Sequence, residues 1–70
     1  LVAFVALLDA GPNKIEVIKL IRMLTGLGLG ESKDLCDRTP SRFAIKQGRT
    51  AHDVALRFAQ AGARVRVEGA

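Results

Sequence analysis

The pattern of apolar and polar residues is clearest between Asn13 and Gly26, where it has a helical period. At about 100° per residue, four apolar side chains fall on one side of such a helix: Val17, Leu20, Ile21 and Leu24. This stripe predicts a helix of about three turns that packs on a core. Asn13 is expected to cap its first turn through the side-chain oxygen, and Gly26 is expected to end it in the left-handed conformation.

The opposite side of the same helix carries a second stripe with a mixed character, formed by Ile15, Ile18, Lys19 and Arg22. A solvated face does not normally need two isoleucines, and a buried face could not hold two unpaired cations. We interpret this stripe as a contact surface. From the pattern alone, the isoleucines could equally be scattered surface residues or be covered by another element.

The other segments predict alternating strands and short amphipathic helices. Their predicted bounds are a strand over 1–8, a turn over 9–12, a helix over 31–37, a strand over 42–46 closed by Gln47 and Gly48, a helix capped by Thr50 and ended by Gly62, and a strand over 63–68. The core residues predicted in these segments are Leu35, Cys36, Phe43, Ile45, Val54, Phe58, Ala61, Val65 and Val67. The order is β-α-α-β-α-β, and 70 residues are expected to form one domain, 1–70, that folds without metal or disulfide.

Charge narrows the class of partner. The net charge is +4 and the isoelectric point is near 10.0, which favours an acidic partner such as nucleic acid, a membrane surface or an acidic protein patch. Part of the excess lies in a basic stretch formed by Arg42, Lys46 and Arg49. No apolar run approaches the ~18 residues of a membrane span, so no membrane-spanning segment is expected. We also predict no membrane partner. The chain does not begin with methionine, which predicts that it is a piece of a longer protein.

Motifs for catalysis or for a cofactor are weak. The glycine run from Gly26 to Gly30 follows a predicted helix, whereas a dinucleotide-binding loop follows a strand, and no GK(S/T) completes a phosphate loop. His52 is the only histidine, and the spacing of a metal site is missing. Cys36 is expected to be a small core residue rather than a nucleophile. We therefore predict no enzyme, no metal and no cofactor.

The run LDAGPNKIEVIKLIRMLTGLGLGESKDL resembles the C-terminal domain of the bacterial large-subunit ribosomal stalk protein, the L-seven/L-twelve family. The resemblance implies an α+β fold with a three-stranded antiparallel sheet and three helices packed on one face. It implies a cytoplasmic stalk tip that recruits translational GTPases, namely elongation factors Tu and G and the initiation and release factor GTPases. Attachment to the large ribosomal subunit would use a dimerisation segment and a hinge that are not in this chain. The implied factor-binding residues are Lys14, Ile15, Ile18, Lys19, Arg22, Gly28, Leu29 and Lys33, with Gly28 and Leu29 in the turn.

The chain departs from that family in its charge, because the family domain is usually acidic, and at Gly30, where lysine is usual. A divergent paralogue that works away from the ribosome is one alternative. A basic RNA-binding module of KH-like order is another, although its loop would be polar rather than filled with leucine. Because Phe4, Phe43 and Phe58 are all expected in the core, no ring is left for base stacking, and RNA binding is expected to be weak at most. The third alternative is a protein-binding adaptor such as that of the Clp protease.

Overall fold

The computed structural model describes residues 3–45 and 51–69 of the chain. Within these residues the elements follow the predicted order β-α-α-β-α-β. Their bounds are β1 (Ala3–Asp9), α1 (Lys14–Thr25), α2 (Leu29–Asp37), β2 (Ser41–Ile45), α3 (Ala51–Gln60) and β3 (Arg64–Gly69). The predicted cap at Thr50, the turn at Gln47 and Gly48, and the basic residues Lys46 and Arg49 lie outside the described residues.

The sheet has the strand order β2-β1-β3, and both pairs are antiparallel. On its inner face Val5 lies opposite Phe43 on one side and Val67 on the other. Val5 and Leu7 are fully buried because the helices cover this face. The predicted α+β fold with a three-stranded antiparallel sheet is confirmed.

The outer face of the sheet corrects one prediction. Phe4 was expected in the core, but its side chain is 41% exposed on the side away from the helices. Successive side chains of a strand point to opposite faces, so the burial of Val5 places Phe4 outside. The nearly continuous apolar run of β1 hides this alternation in the sequence.

The two ends of α1 behave differently. Gly26 has φ 76°, and its N–H donates to the carbonyl of Arg22 at 2.9 Å, so the predicted left-handed end is confirmed. Asn13 is the N-cap residue, but its side chain makes no capping hydrogen bond, which corrects the predicted mechanism. Its φ of −106° and ψ of 65° differ from the extended backbone from which a cap side chain reaches the first turn.

The second helix begins earlier than predicted. Gly28 is its N-cap with an extended backbone, and its carbonyl accepts from the N–H of Ser32 at 3.0 Å. Leu29 is therefore the first residue of α2 rather than part of the turn, and Gly30 is included in the helix. Cys36 is buried as predicted, Leu35 is half-buried, and Ser32 is an unpredicted buried residue one turn before Cys36.

The third helix packs mainly on the edge strand β3. Val54 and Phe58 are fully buried, and the rings of Phe58 and Phe43 are 6.2 Å apart between centroids. Gly62 follows α3 with φ 83°, and Ala63 is buried just before β3. No helix among the described residues is long and apolar enough to cross a bilayer.

Candidate functional site: the outer side of the first helix

The outer side of α1 presents apolar and cationic side chains together. We call Ile15, Lys19, Arg22 and Met23 the helix face. Ile15 is 68% exposed and Met23 is 48% exposed, whereas Val17 and Ile21 on the opposite side are fully buried. Lys19 and Arg22 are also exposed. The two-sided character predicted for this helix is therefore present for these residues.

Ile18 differs from the predicted exposed contact. Its side chain is only half-buried and packs against the core cluster, so it is not a free surface residue. Ile18 lies one turn after Lys14, and Lys14 pairs with Asp37 of α2 through Nζ and Oδ1 at 3.5 Å. Side chains four residues apart share one side of a helix, which places Ile18 on the side of α1 that faces α2. This position at the seam explains its partial burial.

Met23 was not among the predicted site residues. It lies four residues after Lys19 and is therefore on the same side of the helix. The helical period alone would have located it, but methionine in a segment rich in leucine and isoleucine is easily taken for core. Its flexible thioether suits a surface that adapts to a partner.

The start of α2 adds a second row of residues beside α1. Leu29 is 58% exposed, Lys33 is exposed one turn later, and Asp37 follows another turn later. Because Asp37 pairs with Lys14, this row lies along the same seam as α1. The row brings Leu29 and Lys33 next to the residues predicted on the first helix.

The connection between the two helices is fixed by Thr25. Its hydroxyl donates to the carbonyl of Ile21 at 2.6 Å and accepts from the N–H of Leu27 at 3.1 Å. Gly26, at φ 76°, reverses the chain at the end of α1, and Gly28 continues with an extended backbone into α2. The two hydrogen bonds of the Thr25 hydroxyl therefore fix the position of Gly28 and Leu29 relative to α1.

The charges of the site are solvated and weakly paired. Lys19 pairs with Glu16 at 3.6 Å between Nζ and Oε1, and Lys14 pairs with Asp37 at 3.5 Å. Exposed pairs of this kind contribute below about 1 kcal/mol and exchange easily for another anion. Arg22 and Lys33 have no acidic partner within 4.0 Å in the described part of the chain. All four cations can therefore turn toward an external acidic surface.

Other candidate chemistry lies away from this site. Burial raises the pKa of the Cys36 thiol above its ordinary value of 9.0, and the neighbouring carboxylate of Asp37 raises it further, while Lys14 opposes both. A thiol with a raised pKa is a poor nucleophile. His52 is exposed on α3, and the described residues contain no group of three metal-ligating side chains.

A groove of about 410 Å³ lies between α2 and β2. Its lining residues are Leu27, Glu31, Asp34, Leu35, Arg38, Ser41, Arg42 and Phe43. None of the predicted factor-binding residues lines it. The groove is thus separate from the surface formed by α1 and the start of α2.

Comparison with known proteins decides which family has this fold and helix pair. A family model described as the ribosomal protein L7/L12 C-terminal domain matches residues 4–68. The large ribosomal subunit protein bL12 of Geobacillus kaustophilus is 46% identical over 67 residues, which cover 91% of this chain and 53% of the relative. The bL12 proteins of a Nitratiruptor species and of Wolinella succinogenes are 45% and 46% identical over 91% of this chain, covering 51% and 52% of their own lengths.

The chain belongs to the L7/L12 C-terminal domain family. The resemblance carried by the run through TGLGL is thereby confirmed, and with it the assignment to a ribosomal stalk family of the translation machinery. These relatives are named as ribosomal proteins and not as enzymes. The chain spans about half the length of the L7/L12 relatives that it matches.

Proposed function

We propose that this domain is a ribosomal stalk tip that recruits translational GTPases to the large subunit. The observation that carries the proposal is the exposure of Ile15 among the cations of the helix face, in a domain of a ribosomal stalk family. The proposed partners are elongation factors Tu and G and the initiation and release factor GTPases. The proposed contact residues are Lys14, Ile15, Ile18, Lys19, Arg22, Gly28, Leu29 and Lys33, to which we add Met23.

The two kinds of side chain have different roles in the proposed contact. Ile15, Met23 and Leu29 are about half exposed or more, and burying such side chains against a partner removes apolar surface from water. The apolar contacts therefore govern how long a complex lasts. Lys19 and Arg22 attract an acidic surface before contact, and complementary charge acts mainly on the association rate.

Attachment to the large subunit is a separate part of the proposal. The relatives are about twice as long as this chain, and the match covers only their L7/L12 C-terminal domain. We propose that anchoring on the ribosome uses segments outside residues 1–70. The domain would then act as the part of the stalk that meets the GTPase, and residues 1–70 would be its domain bounds.

Charge reversal tests the steering role. We expect Lys19→Glu and Arg22→Glu to slow association with elongation factor G on the order of tenfold at low ionic strength, and less at physiological salt. Stopped-flow association at several salt concentrations measures this. Arg66→Glu is the matched control, because Arg66 is an exposed residue of β3 and its reversal makes the same change in net charge. Equal slowing by Arg66→Glu would mean that only net charge matters and would contradict the helix face.

Truncation of Ile15 tests the apolar contact. We expect Ile15→Ala to speed dissociation of the complex with elongation factor G and to leave the association rate nearly unchanged. Dissociation is measured by displacement with an excess of unlabelled domain. An unchanged dissociation rate for Ile15→Ala, in a variant that is shown to be folded, would rule out the proposed contact.

A further inference from the structure

The outer face of the sheet is a second surface with its own chemistry. We call Phe4, Ala6, Leu8, Arg42, Arg66 and Glu68 the outer sheet face. Phe4 and Leu8 are each 41% exposed in the central strand, with no element of the described chain packed over them. Their exposure makes an apolar strip along the central strand available to a ligand.

The register places cations on both sides of the central strand. Ala6 lies opposite Arg42 of β2 and also opposite Arg66 of β3. Cross-strand neighbours on one face are within about 5.5 Å between Cβ atoms, so a small central residue is flanked by two guanidinium-bearing side chains. Arg64, two residues before Arg66, is exposed at the start of the same strand.

Arg42 also reaches the aromatic ring. Its guanidinium carbon is 4.7 Å from the centroid of the Phe4 ring, a cation–π distance. Its Nη2 lies 3.0 Å from Oε1 of Glu68, which is the residue opposite Phe4 on β3. That oxygen has no hydrogen bond among the described residues, so its contact with Arg42 is an ion pair. The side chain of Arg42 is 61% exposed and therefore also accessible to a ligand.

We propose that the outer sheet face binds single-stranded RNA. Nucleic-acid bases stack on exposed aromatic rings and on guanidinium planes, and Phe4 and Arg42 offer both side by side. The phosphates that join successive bases need cations at the edge of the stack, and Arg66 supplies one across the central strand. The site is independent of the family assignment, because it depends on Phe4 being outside the core.

This chemistry favours single-stranded RNA over other anionic partners. A duplex hides the faces of its bases, so an exposed ring gains nothing from it. An acidic peptide or an anionic bilayer would use the arginines but would not require an aromatic ring at Phe4. Glu68 would be unfavourable for every polyanion, so its removal gives a test with the opposite sign from the removal of arginine.

The first experiment measures stacking. Binding of a labelled oligouridylate of about ten nucleotides is followed by fluorescence anisotropy, with an expected dissociation constant on the order of 10⁻⁴ to 10⁻⁶ M at physiological salt. We expect Phe4→Leu, which keeps an apolar side chain, to weaken binding by about fivefold or more. Duplex RNA, polyglutamate and phosphatidylserine vesicles are the competing probes. Equal binding of any of these, or unchanged binding by Phe4→Leu, would overturn the proposal.

The second experiment separates this surface from the helix face. Arg66→Ala and Arg22→Ala each remove one positive charge from an exposed arginine. We expect Arg66→Ala to reduce the salt dependence of RNA binding by about one unit of slope, and Arg22→Ala to leave that slope unchanged. We expect Glu68→Gln to strengthen RNA binding. Equal effects of the two arginine variants would assign RNA binding to net charge alone, and weaker binding by Glu68→Gln would show that Glu68 does not repel the RNA. Either result would reject the outer sheet face.

Discussion

At the scale of single residues, Ile15, Ile18 and Ile21 share one side chain and one helix but differ in environment. Ile15 is 68% exposed, Ile18 is half-buried at the seam between α1 and α2, and Ile21 is fully buried. The cost of truncating a side chain depends on the apolar surface it buries and on the cavity it leaves. Truncating the three isoleucines should therefore lower the free energy of unfolding by three different amounts, ordered by how deeply each side chain is buried.

We expect Ile15→Ala to change the free energy of unfolding by no more than about 0.5 kcal/mol. Ile21→Ala removes a fully buried side chain and should cost roughly 2–5 kcal/mol. Ile18→Ala should fall between these two values because its side chain is only half-buried. Urea denaturation of the three variants measures the order. A large loss for Ile15→Ala would mean that the helix face is part of the core.

Residue by residue, the sequence predicted burial correctly along the core stripe of α1, where the helical period of apolar residues is unbroken. It was wrong at Ile18 and at Phe4. Val17, Ile21 and Leu24 are buried as the helical stripe predicted. The predicted exposure of Ile18 was wrong because a helical wheel does not show where a neighbouring helix lies. The predicted burial of Phe4 was wrong because β1 has apolar residues on both faces, so the sequence does not show which face is the core.

At the scale of elements, three glycines in or beside the first two helices have different backbone environments. Gly26 ends α1 at φ 76°, and a Cβ added there would meet no atom within 4 Å. Gly11 has φ 75°, and its added Cβ would overlap the backbone carbonyl of Gly62. Gly30 lies within α2, in open space and without a positive φ. These environments give three different expected effects of alanine.

We expect Gly26→Ala to destabilise the domain by about 1–2 kcal/mol, the cost of a left-handed conformation for an L-residue. Gly11→Ala should cost more, because backbone must also move. Gly30→Ala should stabilise by about 0.5–1 kcal/mol, since alanine loses less entropy in a helix. Thermal and urea denaturation measure all three. Destabilisation by Gly30→Ala would contradict the early start of α2.

The sequence predicted the ends of the elements best where backbone geometry demanded a particular residue. Gly26 and Gly62 could be placed because a left-handed turn after a helix favours glycine. The start of α2 was predicted too late because glycine has a low helix propensity, and this counted against including Gly30 in the helix. The packing of Ser32 and Cys36 on the core outweighs that cost in the structure. Gly28 and Leu29 were therefore proposed as site residues from the sequence, but their local structure, the start of α2 rather than a turn, was not predicted.

At the scale of the whole molecule, the two proposed surfaces lie on opposite sides. The helices cover the inner face of the sheet, so the helix face of α1 points away from it and the outer sheet face points the other way. The smallest extent of the domain is 17 Å. This distance exceeds the Debye length of about 8 Å at physiological salt, so charges on one side are largely screened from ligands on the other.

This separation predicts independent binding of the two proposed ligands. We expect saturating oligouridylate to change the affinity for elongation factor G by less than about twofold at physiological salt, because distant sites behave additively. At low ionic strength the two anionic ligands should weaken each other, since the Debye length grows to about 30 Å at 0.01 M salt and then exceeds the width of the domain. Titration of elongation factor G with and without RNA at both ionic strengths measures the coupling. Phe4→Leu is the control, because it should raise the RNA concentration at which this coupling appears at low salt without changing factor binding alone. Direct displacement of the factor by RNA at physiological salt would mean that both ligands use one surface, and one of the two assignments would then be wrong.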